Sequence, residues 1–208
     1  GSTIELTDSA VIAGSVSVDN QCVSGQELAF GSVYMGQASL QLRTALSSAA
    51  FYDAALQIDY EIQRADGSWY TLPVGRYTVA EAERSAAVVS LTGYDNMLKL
   101  ERKFSGSAIL GDAYTMLTQI AGTCGVELAQ SEAEIKALSP NAEILRQLDG
   151  SYRVSTWRDC VGAIAQLLAG FATIHRLGRL RIVQFGETPC VTISKNARTN
   201  AKISDFSC

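Results

Sequence analysis

Histidine and closely spaced cysteine are what this sequence has least of. It contains one histidine, His175, and its five cysteines are far apart and never spaced C-x-x-C: Cys22, Cys124, Cys160, Cys190 and Cys208. A structural zinc ion needs four Cys or His ligands brought together, so the composition argues against such a site. The odd number and wide spacing of the cysteines predict a reduced compartment of synthesis without disulfides.

Long apolar runs and an excess of basic charge are also missing. No stretch reaches the roughly 20 apolar residues of a membrane-spanning helix, and no basic segment followed by an apolar run begins the chain. The net charge is −4 and the sequence pI is about 5.1, which gives no global attraction for nucleic acid or anionic lipid. The 208 residues are 47% hydrophobic, which predicts a folded protein of one large or two small domains.

The first half of the chain has the alternating pattern of β-strands. Apolar and polar residues alternate in residues 10–18, 38–44 and 55–64. Asp66-Gly67 then predicts a tight hairpin turn, and Pro73 predicts a bend at a strand start or edge. Antiparallel strands joined by short turns predict a sandwich or barrel.

Two helices are predicted in the second half. Asp112 is a suitable N-cap for residues 112–126, where apolar residues share one face and Gly125 can end the helix. Residues 156–170 begin with Thr156 and Asp159 in a T-x-x-D start and continue with apolar spacing of i, i+3, i+4 and i+7. We expect Gly170 to end this second helix.

The segment FATIHRLGRLRIVQF, residues 171–185, is unusually basic for an acidic protein. Its alternation around Leu177-Gly178 predicts a hairpin packed on the preceding helix, with His175 in the turn. A catalytic histidine needs a nucleophile and an orienting carboxylate within reach, and no G-x-S-x-G elbow precedes this one. We therefore expect a solvated turn residue, beside a solvated or subunit-contact face formed by Arg176, Arg179 and Arg181.

Paired carboxylates raise the possibility of a glycosidase. The acids concerned are Asp53, Asp59, Glu61, Glu81 and Glu83. Because Asp59/Glu61 and Glu81/Glu83 are two residues apart on alternating strands, they are typical of a solvent-facing sheet surface. The glycine-rich segments match no phosphate-binding pattern. We predict no enzyme activity, no catalytic residues, no cofactor and no metal site.

The order of these segments resembles the tail hub proteins encoded by siphophage-like prophages of Gram-positive and gut bacteria. The resemblance covers nearly the whole chain and is carried by IELTDSAVIAGSVSVDNQCVSGQELAFGSV, SLQLR, LPVGRYTVAEAER, SLTGYDNMLKLE, MLTQIAGTCGVEL and TWRDCVGAIAQLLAGFATIHRLGRLRI. One departure concerns turn chemistry: the family's Asn-x-Asp-Gly-like hairpin turn is replaced by His175-Arg176-Leu177-Gly178.

The resemblance implies the architecture of a myophage baseplate hub. The fold class would be α+β, mainly β, with a tail-tube-like antiparallel β-barrel or sandwich followed by a small α/β domain of two helices and a β-hairpin. Residues 3–103 would form the barrel, 104–186 the inserted domain, and 187–208 the start of a second barrel that the chain does not complete.

The same resemblance implies a structural role in a virion tail. It predicts self-association, trimeric in the full-length protein, beneath the tail tube, with the tail tube, distal tail and tape measure proteins as partners. The protein would be made in the bacterial cytoplasm, with no specific nucleic acid and no membrane as partner. Two alternatives stay open: a glycan-binding or adhesive β module, with Trp69, Tyr70 and Tyr77 as its exposed aromatics, and a cell-wall hydrolase.

Overall fold

The structure is a computed structural model that describes residue 6 and residues 9–21, 29–152 and 154–184. Its strands are β1 (Ser17–Asp19), β2 (Gln37–Arg43), β3 (Ala55–Gln63), β4 (Trp69–Ser85), β5 (Val88–Asp95), β6 (Ile109–Gly111), β7 (Arg146–Leu148), β8 (Gly170–Ile174) and β9 (Leu180–Gln184). Its α-helices are α1 (Ala113–Cys124), α2 (Glu132–Leu138) and α3 (Trp157–Leu167), and a 3₁₀ helix spans Asn96–Glu101. The predicted α+β, mainly β class is confirmed.

A curled, antiparallel five-stranded sheet occupies the first half, in the order β1-β2-β5-β4-β3. Alternate residues of β2 and β5 are buried because successive side chains of a strand point to opposite faces. The pair Leu40 and Leu91 marks their register. The inward face forms the sheet cluster, made of Leu40, Leu42, Phe51, Val79, Ala82, Val89 and Leu91.

The strand predicted at residues 10–18 was placed too early in the chain. Residues 13–14 form a turn closed by a 3.0 Å bond from Ser15 N–H to the Ile12 carbonyl, and Gly14 adopts φ 75°. Val11 makes an isolated bridge to Leu42, and regular pairing starts at β1. The turn at residues 13–14 therefore interrupts residues 10–18, for which the alternation of apolar and polar residues had predicted one continuous strand.

The predicted β3–β4 hairpin forms around Asp66-Gly67. Gly67 has φ 84°, its N–H donates to the Arg64 carbonyl at 2.9 Å, and the Asp66 carboxylate accepts from Ser68 N–H at 2.9 Å. Pro73 lies in a stretch of β4 that pairs with β3 alone, because β5 pairs with β4 only from Tyr77 to Ser85. A proline, which cannot donate to a ladder, is compatible with that edge position.

The two predicted helices begin as the sequence indicated. Asp112 caps α1 by accepting from Thr115 N–H at 2.8 Å, and Gly125 ends it with φ 67°. Thr156 and Asp159 form a reciprocal capping box at the start of α3. The predicted end of α3 at Gly170 was wrong: Ala169 takes the left-handed conformation, with φ 52°, and Gly170 is the first residue of β8.

Two features of the second half were not predicted. Helix α2 begins with a capping box of Ser131 and Glu134, and β6 pairs with β7. The predicted hairpin of residues 171–185 is present as β8 and β9. These elements enclose the helical cluster, which includes α1, α3, β8 and β9 side chains together with Met97 and Leu100.

Residues 29–36 connect the two halves. Val33 and Met35 pack against the helical cluster, and Val33 bridges Ala172 of β8 in parallel. The domain limits 3–103 and 104–186 therefore stay predictions, and 187–208, including the strand predicted at VTIS, lies outside the described residues.

Within the described ranges, no helix has the length and apolar character needed to cross a bilayer.

Candidate functional site

The β8–β9 turn packs against the end of the five-stranded sheet. His175 N–H donates to the Arg179 carbonyl at 2.6 Å, and Gly178 N–H donates to the His175 carbonyl at 2.7 Å. The φ of 80° at Gly178 is easily adopted by glycine, which lacks a Cβ. The Asn96 side-chain amide donates to the Gly178 carbonyl at 2.6 Å, which joins the turn to the end of β5.

A crevice lies between this turn and the sheet. Its lining consists of Asn20, Gly36, Val74, Gly75, Arg76, Tyr77, Asp95, Ile174, His175 and Arg176. Its volume of about 240 Å³ includes the open solvent at its mouth, so the crevice is shallow. Its lining includes one hydroxyl, that of Tyr77, and the carboxylate of Asp95.

Asp95 is the buried charged residue of the crevice, with 5% of its surface exposed. Its carboxylate accepts from Gly36 N–H at 2.9 Å and from Met97 N–H at 2.8 Å. Burial raises the pKa of Asp95 to about 6, although both amide bonds and the charge of Arg158 act in the opposite direction. Each carboxylate oxygen of Asp95 thus accepts one backbone amide. The bond from Met97 caps the 3₁₀ helix, and the bond from Gly36 holds that residue beside β5.

His175 is half-buried, in contrast to the solvated residue that the sequence predicted. Its Nδ1 accepts from Leu177 N–H at 3.2 Å, so the neutral ring carries its proton on Nε2. Burial, followed by the charges of Arg181, Arg179 and Arg176, lowers the pKa of His175. A histidine whose basic nitrogen is occupied by its own turn is poorly arranged to accept a proton from a substrate.

The three predicted arginines surround this turn. Arg176 is exposed, and Arg179 forms an ion pair with Glu127 at 3.1 Å. Arg181 is half-buried, and its Nε is buried without a hydrogen-bond partner. The aliphatic stem of Arg76 lies against the same turn, because a Cβ on Gly178 would lie 3.5 Å from both the Cβ and the Cδ of Arg76.

The five predicted carboxylates are exposed and belong to different surfaces. Asp59 and Glu61 project from β3, while Glu81 and Glu83 lie on β4 opposite Thr92 and Ser90. The Gln57 amide donates to Asp59 at 2.7 Å. The described contacts give none of these acids a buried partner, which agrees with the solvent-facing surface expected from their spacing.

The three predicted aromatics do not form one cluster. Tyr70 pairs with Ile62 and Trp69 with Gln63, so the two adjacent aromatics project from opposite faces of the hairpin. Trp69 is 61% exposed and Tyr70 is 45% exposed, whereas Tyr77 is 7% exposed. Tyr60 is an exposed aromatic residue that the sequence analysis did not single out. It lies on the same face of the hairpin as Ile62 and Tyr70.

Among the described cysteines, Cys124 and Cys160 are buried free thiols. Burial raises the pKa of Cys160 to about 12 and also raises that of Cys124. In the part of the chain that the structure describes, no three His, Cys, Asp or Glu side chains are grouped to hold a metal ion.

No family model matches the chain, and no curated protein matches it.

Proposed function

We propose that the chain is a structural, non-enzymatic component of a phage or prophage tail tip or baseplate hub, assembled as a ring beneath the tail tube. The observation that carries this proposal is the curled antiparallel sheet, in which β1 and β3 are edge strands and the β3–β4 hairpin extends beyond β5. Exposed strand edges are surfaces for pairing with other chains. Repetition of one such contact between identical subunits closes a ring when the rotation permits.

The site chemistry supports the same proposal. Asp95 and His175 are occupied by backbone amides, and the crevice is small. The partners would be further copies of the chain and the tail tube, distal tail and tape measure proteins, and the location would be the virion tail after synthesis in the bacterial cytoplasm. The net charge of −4 suits a lumen through which DNA passes without adhering.

The test is the solution mass of this chain and of one extended to the end of its natural reading frame. Light scattering should give a closed oligomer, trimeric for the longer chain, and negative-stain images should show rings. If both chains stay monomeric over a wide concentration range, the ring assembly is wrong.

A glycan-binding or adhesive module is the second candidate, favoured by the exposure of Tyr60, Trp69 and Tyr70. Titration with soluble cell-wall glycans distinguishes the glycan-binding module from the tail component. Saturable binding that is abolished by Tyr60→Ala supports the module. A muralytic assay addresses the hydrolase, for which we expect no activity.

A further inference from the structure

A row of residues crosses the end of the five-stranded sheet and forms the floor of the crevice. Tyr77 of β4 lies directly opposite Asp95 at the end of β5, and directly opposed residues project from the same face of a sheet. On the other side of β5, Asp95 N–H donates to the Gly36 carbonyl at 3.0 Å, which makes Gly36 the next member of the row. Asn20 directly follows β1 and lines the same crevice. A phenol, a carboxylate and an amide thus border one space.

Two glycines leave room at this floor. A Cβ on Gly75 would lie 2.6 Å from the Cζ of Tyr77, so the phenol ring rests on bare backbone of β4. A Cβ on Gly36 would lie 2.8 Å from the Oδ2 of Asp95 and 3.5 Å from the Asp19 carbonyl oxygen. The carboxylate and this carbonyl therefore approach each other across a position that has no side chain. The floor is rich in oxygen acceptors.

The Tyr77 hydroxyl makes no hydrogen bond to any residue that the structure describes. Tyr77 is 7% exposed, and burial, followed by the charge of Asp95, raises the pKa of its phenol. A hydroxyl that is taken from water without a hydrogen-bond partner costs free energy, and such groups are rare in folded proteins. Because Tyr77 lines the crevice, a group bound there can supply the missing partner.

Asp95 brings a negative charge to the same floor. Its oxygens accept the Gly36 and Met97 amides, but an ionised carboxylate has about four acceptor sites, so others remain. None of the ion pairs among the described residues includes Asp95. Arg158, whose charge acts on this carboxylate, is itself paired with Glu101. A positively charged group in the crevice would therefore compensate a buried carboxylate that has no counter-ion in contact.

The other side of the crevice limits the charge of what enters it. Exposed Arg76 and Arg176 line it, but neither contributes to the pKa shift of Asp95, which places their charge away from the floor. His175, whose pKa is lowered by burial and by neighbouring arginines, is neutral at pH 7. A single cationic group is thus favoured over a dication. Calcium takes about six to eight oxygen ligands, more than one carboxylate and its neighbours supply.

We propose that this crevice binds a primary ammonium group, carried by a lysine side chain of a partner protein or by a small free amine. Its three N–H donors match the Asp95 carboxylate, the Tyr77 hydroxyl and the Asn20 side-chain oxygen. Val74 and Ile174 line the crevice and offer apolar surface to the alkyl chain. The site does not depend on ring assembly, so a chain that stays monomeric leaves it unaffected.

Titration with n-butylammonium chloride, followed by ¹H–¹⁵N NMR at constant ionic strength, tests the site. The amides of Gly36 and Met97 report on it because both donate to Asp95. At pH 7 we expect saturable shifts of both signals at probe concentrations up to about 100 mM, with a millimolar dissociation constant. Tetramethylammonium has the charge without N–H donors, and n-butanol has a donor without the charge. Each should bind at least about tenfold more weakly, because a charge-assisted hydrogen bond needs both.

Two variants remove single hydrogen-bond partners of the ammonium group. Tyr77→Phe and Asn20→Ala should each weaken binding by about threefold to tenfold, as expected for the loss of one hydrogen bond. Tyr70→Phe is the matched control, since it makes the same change at a tyrosine outside the crevice and should leave binding unchanged. Dispersed amide spectra like that of the unaltered chain establish that each variant is folded.

Acidification tests the role of Asp95 without replacing it. The carboxyl has a pKa of about 6, whereas a primary amine stays protonated at both pH 7 and pH 5. Asp95 is therefore mostly ionised at pH 7 and mostly neutral at pH 5. The affinity for n-butylammonium should fall by about tenfold between these two pH values, in proportion to the ionised fraction.

A further probe distinguishes the two sources of the ammonium group. Nα-acetyl-lysine methylamide carries the same group on a peptide unit. Binding at least about threefold tighter than that of n-butylammonium assigns the group to a lysine side chain, because the peptide unit then adds contacts of its own. Equal or weaker binding assigns it to a free amine.

Four results overturn the site. Shifts that do not saturate show that n-butylammonium has no specific place in the crevice. Equal shifts with tetramethylammonium show a general effect of salt. Unchanged affinity in both Tyr77→Phe and Asn20→Ala places the amine elsewhere on the chain. Affinity that does not fall from pH 7 to pH 5 shows that Asp95 is not its counter-ion.

Discussion

Asp95 stabilises the junction between the sheet and the helical cluster through two buried hydrogen bonds. Replacement by alanine leaves Gly36 N–H and Met97 N–H without an acceptor. We expect Asp95→Ala to lower the free energy of unfolding by about 2–6 kcal/mol, at about 1–3 kcal/mol for each of the two buried amides. Urea titration at pH 7 measures the loss. Exposed Glu83→Ala is the control, with a change within about 0.5 kcal/mol.

The raised pKa of Asp95 makes the stability of the protein depend on pH in a definite direction. The folded protein binds the proton at a pKa of about 6 and the unfolded chain at 3.8, so the folded state takes up the proton first on acidification. Stability from this group is thus greatest below pH 3.8 and is lost as pH rises through about 6. Relative to Asp95→Asn, the unaltered protein should gain up to about 3 kcal/mol between pH 7 and pH 4, at about 1.4 kcal/mol per pKa unit.

Denaturant titrations of the unaltered protein and of Asp95→Asn at several pH values check the direction of this pH dependence. The comparison isolates Asp95 because the two proteins share all other titrating groups. Stability curves that run parallel across the range would show that the carboxyl of Asp95 has an ordinary pKa. A difference that grows toward alkaline pH would show that the amide bonds outweigh burial.

Cys124 and Cys160 should be unreactive while the protein is folded. Both are buried, and the pKa of Cys160 is raised to about 12, so little thiolate is present at neutral pH. In a variant with Cys22, Cys190 and Cys208 replaced by serine, a charged disulfide reagent should modify the native protein at least about a hundredfold more slowly than the denatured chain. Equal rates would place these thiols at the surface.

At the scale of elements, the residue with left-handed backbone after α3 is Ala169, whereas the sequence predicted that Gly170 would end this helix. Ala169 adopts φ 52°, where glycine is favoured, while a Cβ on Gly170 would lie 2.4 Å from the Val183 carbonyl oxygen. Ala169→Gly should stabilise by about 0.5–1 kcal/mol, because relief of the left-handed strain exceeds the entropy cost of glycine. Gly170→Ala should destabilise by about 2–3 kcal/mol through the clash in the hairpin.

Gly122→Ala provides the control for these glycine exchanges, measured by the same unfolding titrations. Gly122 lies within α1, where an added Cβ meets nothing within 4 Å, so alanine should stabilise by about 1 kcal/mol. Destabilisation by Ala169→Gly would show that the left-handed turn is not strained.

The sequence predicts elements well where the signals are local. Thr156 and Asp159 indicated the start of α3, and Asp66-Gly67 indicated the hairpin turn, because capping and turn chemistry depend on neighbouring residues. Helix α2 was missed although Ser131 and Glu134 have the spacing of a capping box. Its single fully buried apolar residue, Ile135, gives too weak a periodicity to indicate a helix.

Contacts between distant segments could not be predicted in this way. Alternation in β3 indicates that Tyr60 and Ile62 share a face with Leu56, but not that the sheet cluster ends before them. Asp95 falls in the buried register of β5, but a carboxylate by itself predicts exposure, and the Gly36 amide that binds it comes from a distant segment. The candidate site thus depends on tertiary packing, whereas the basic character of its turn is visible in the sequence.

At the scale of the whole molecule, residues 29–36 couple the two clusters. Gly31 N–H donates to the Gly170 carbonyl at 2.7 Å, and Ala172 N–H donates to the Ser32 carbonyl at 2.9 Å. Arg158 of α3 adds an ion pair with Glu101 and a 2.8 Å bond to the Val33 carbonyl. These connections predict that both clusters unfold in one transition, with equal calorimetric and van 't Hoff enthalpies.

Gly31→Ala tests this coupling. The residue has φ 79°, and a Cβ there would lie 2.8 Å from the Gly162 carbonyl oxygen, so the variant should separate residues 29–36 from α3. Gly14→Ala is the matched control, because Gly14 has φ 75° and open space around it. Both variants incur left-handed strain of about 1–2 kcal/mol, and only Gly31→Ala adds a clash of about 1–3 kcal/mol.

Trp157 reports the helical cluster once Trp69 is replaced by phenylalanine, because the chain has two tryptophans. In that background, fluorescence and far-ultraviolet circular dichroism should give coincident unfolding curves for the parent and for Gly14→Ala. For Gly31→Ala the two curves should separate, since the sheet and the helical cluster then lose their common segment. The opposite result is coincident curves in all three proteins, with equal losses of stability in Gly31→Ala and Gly14→Ala. It would mean that residues 29–36 do not couple the clusters. The cooperativity of unfolding would then arise from Met97 and Leu100 instead.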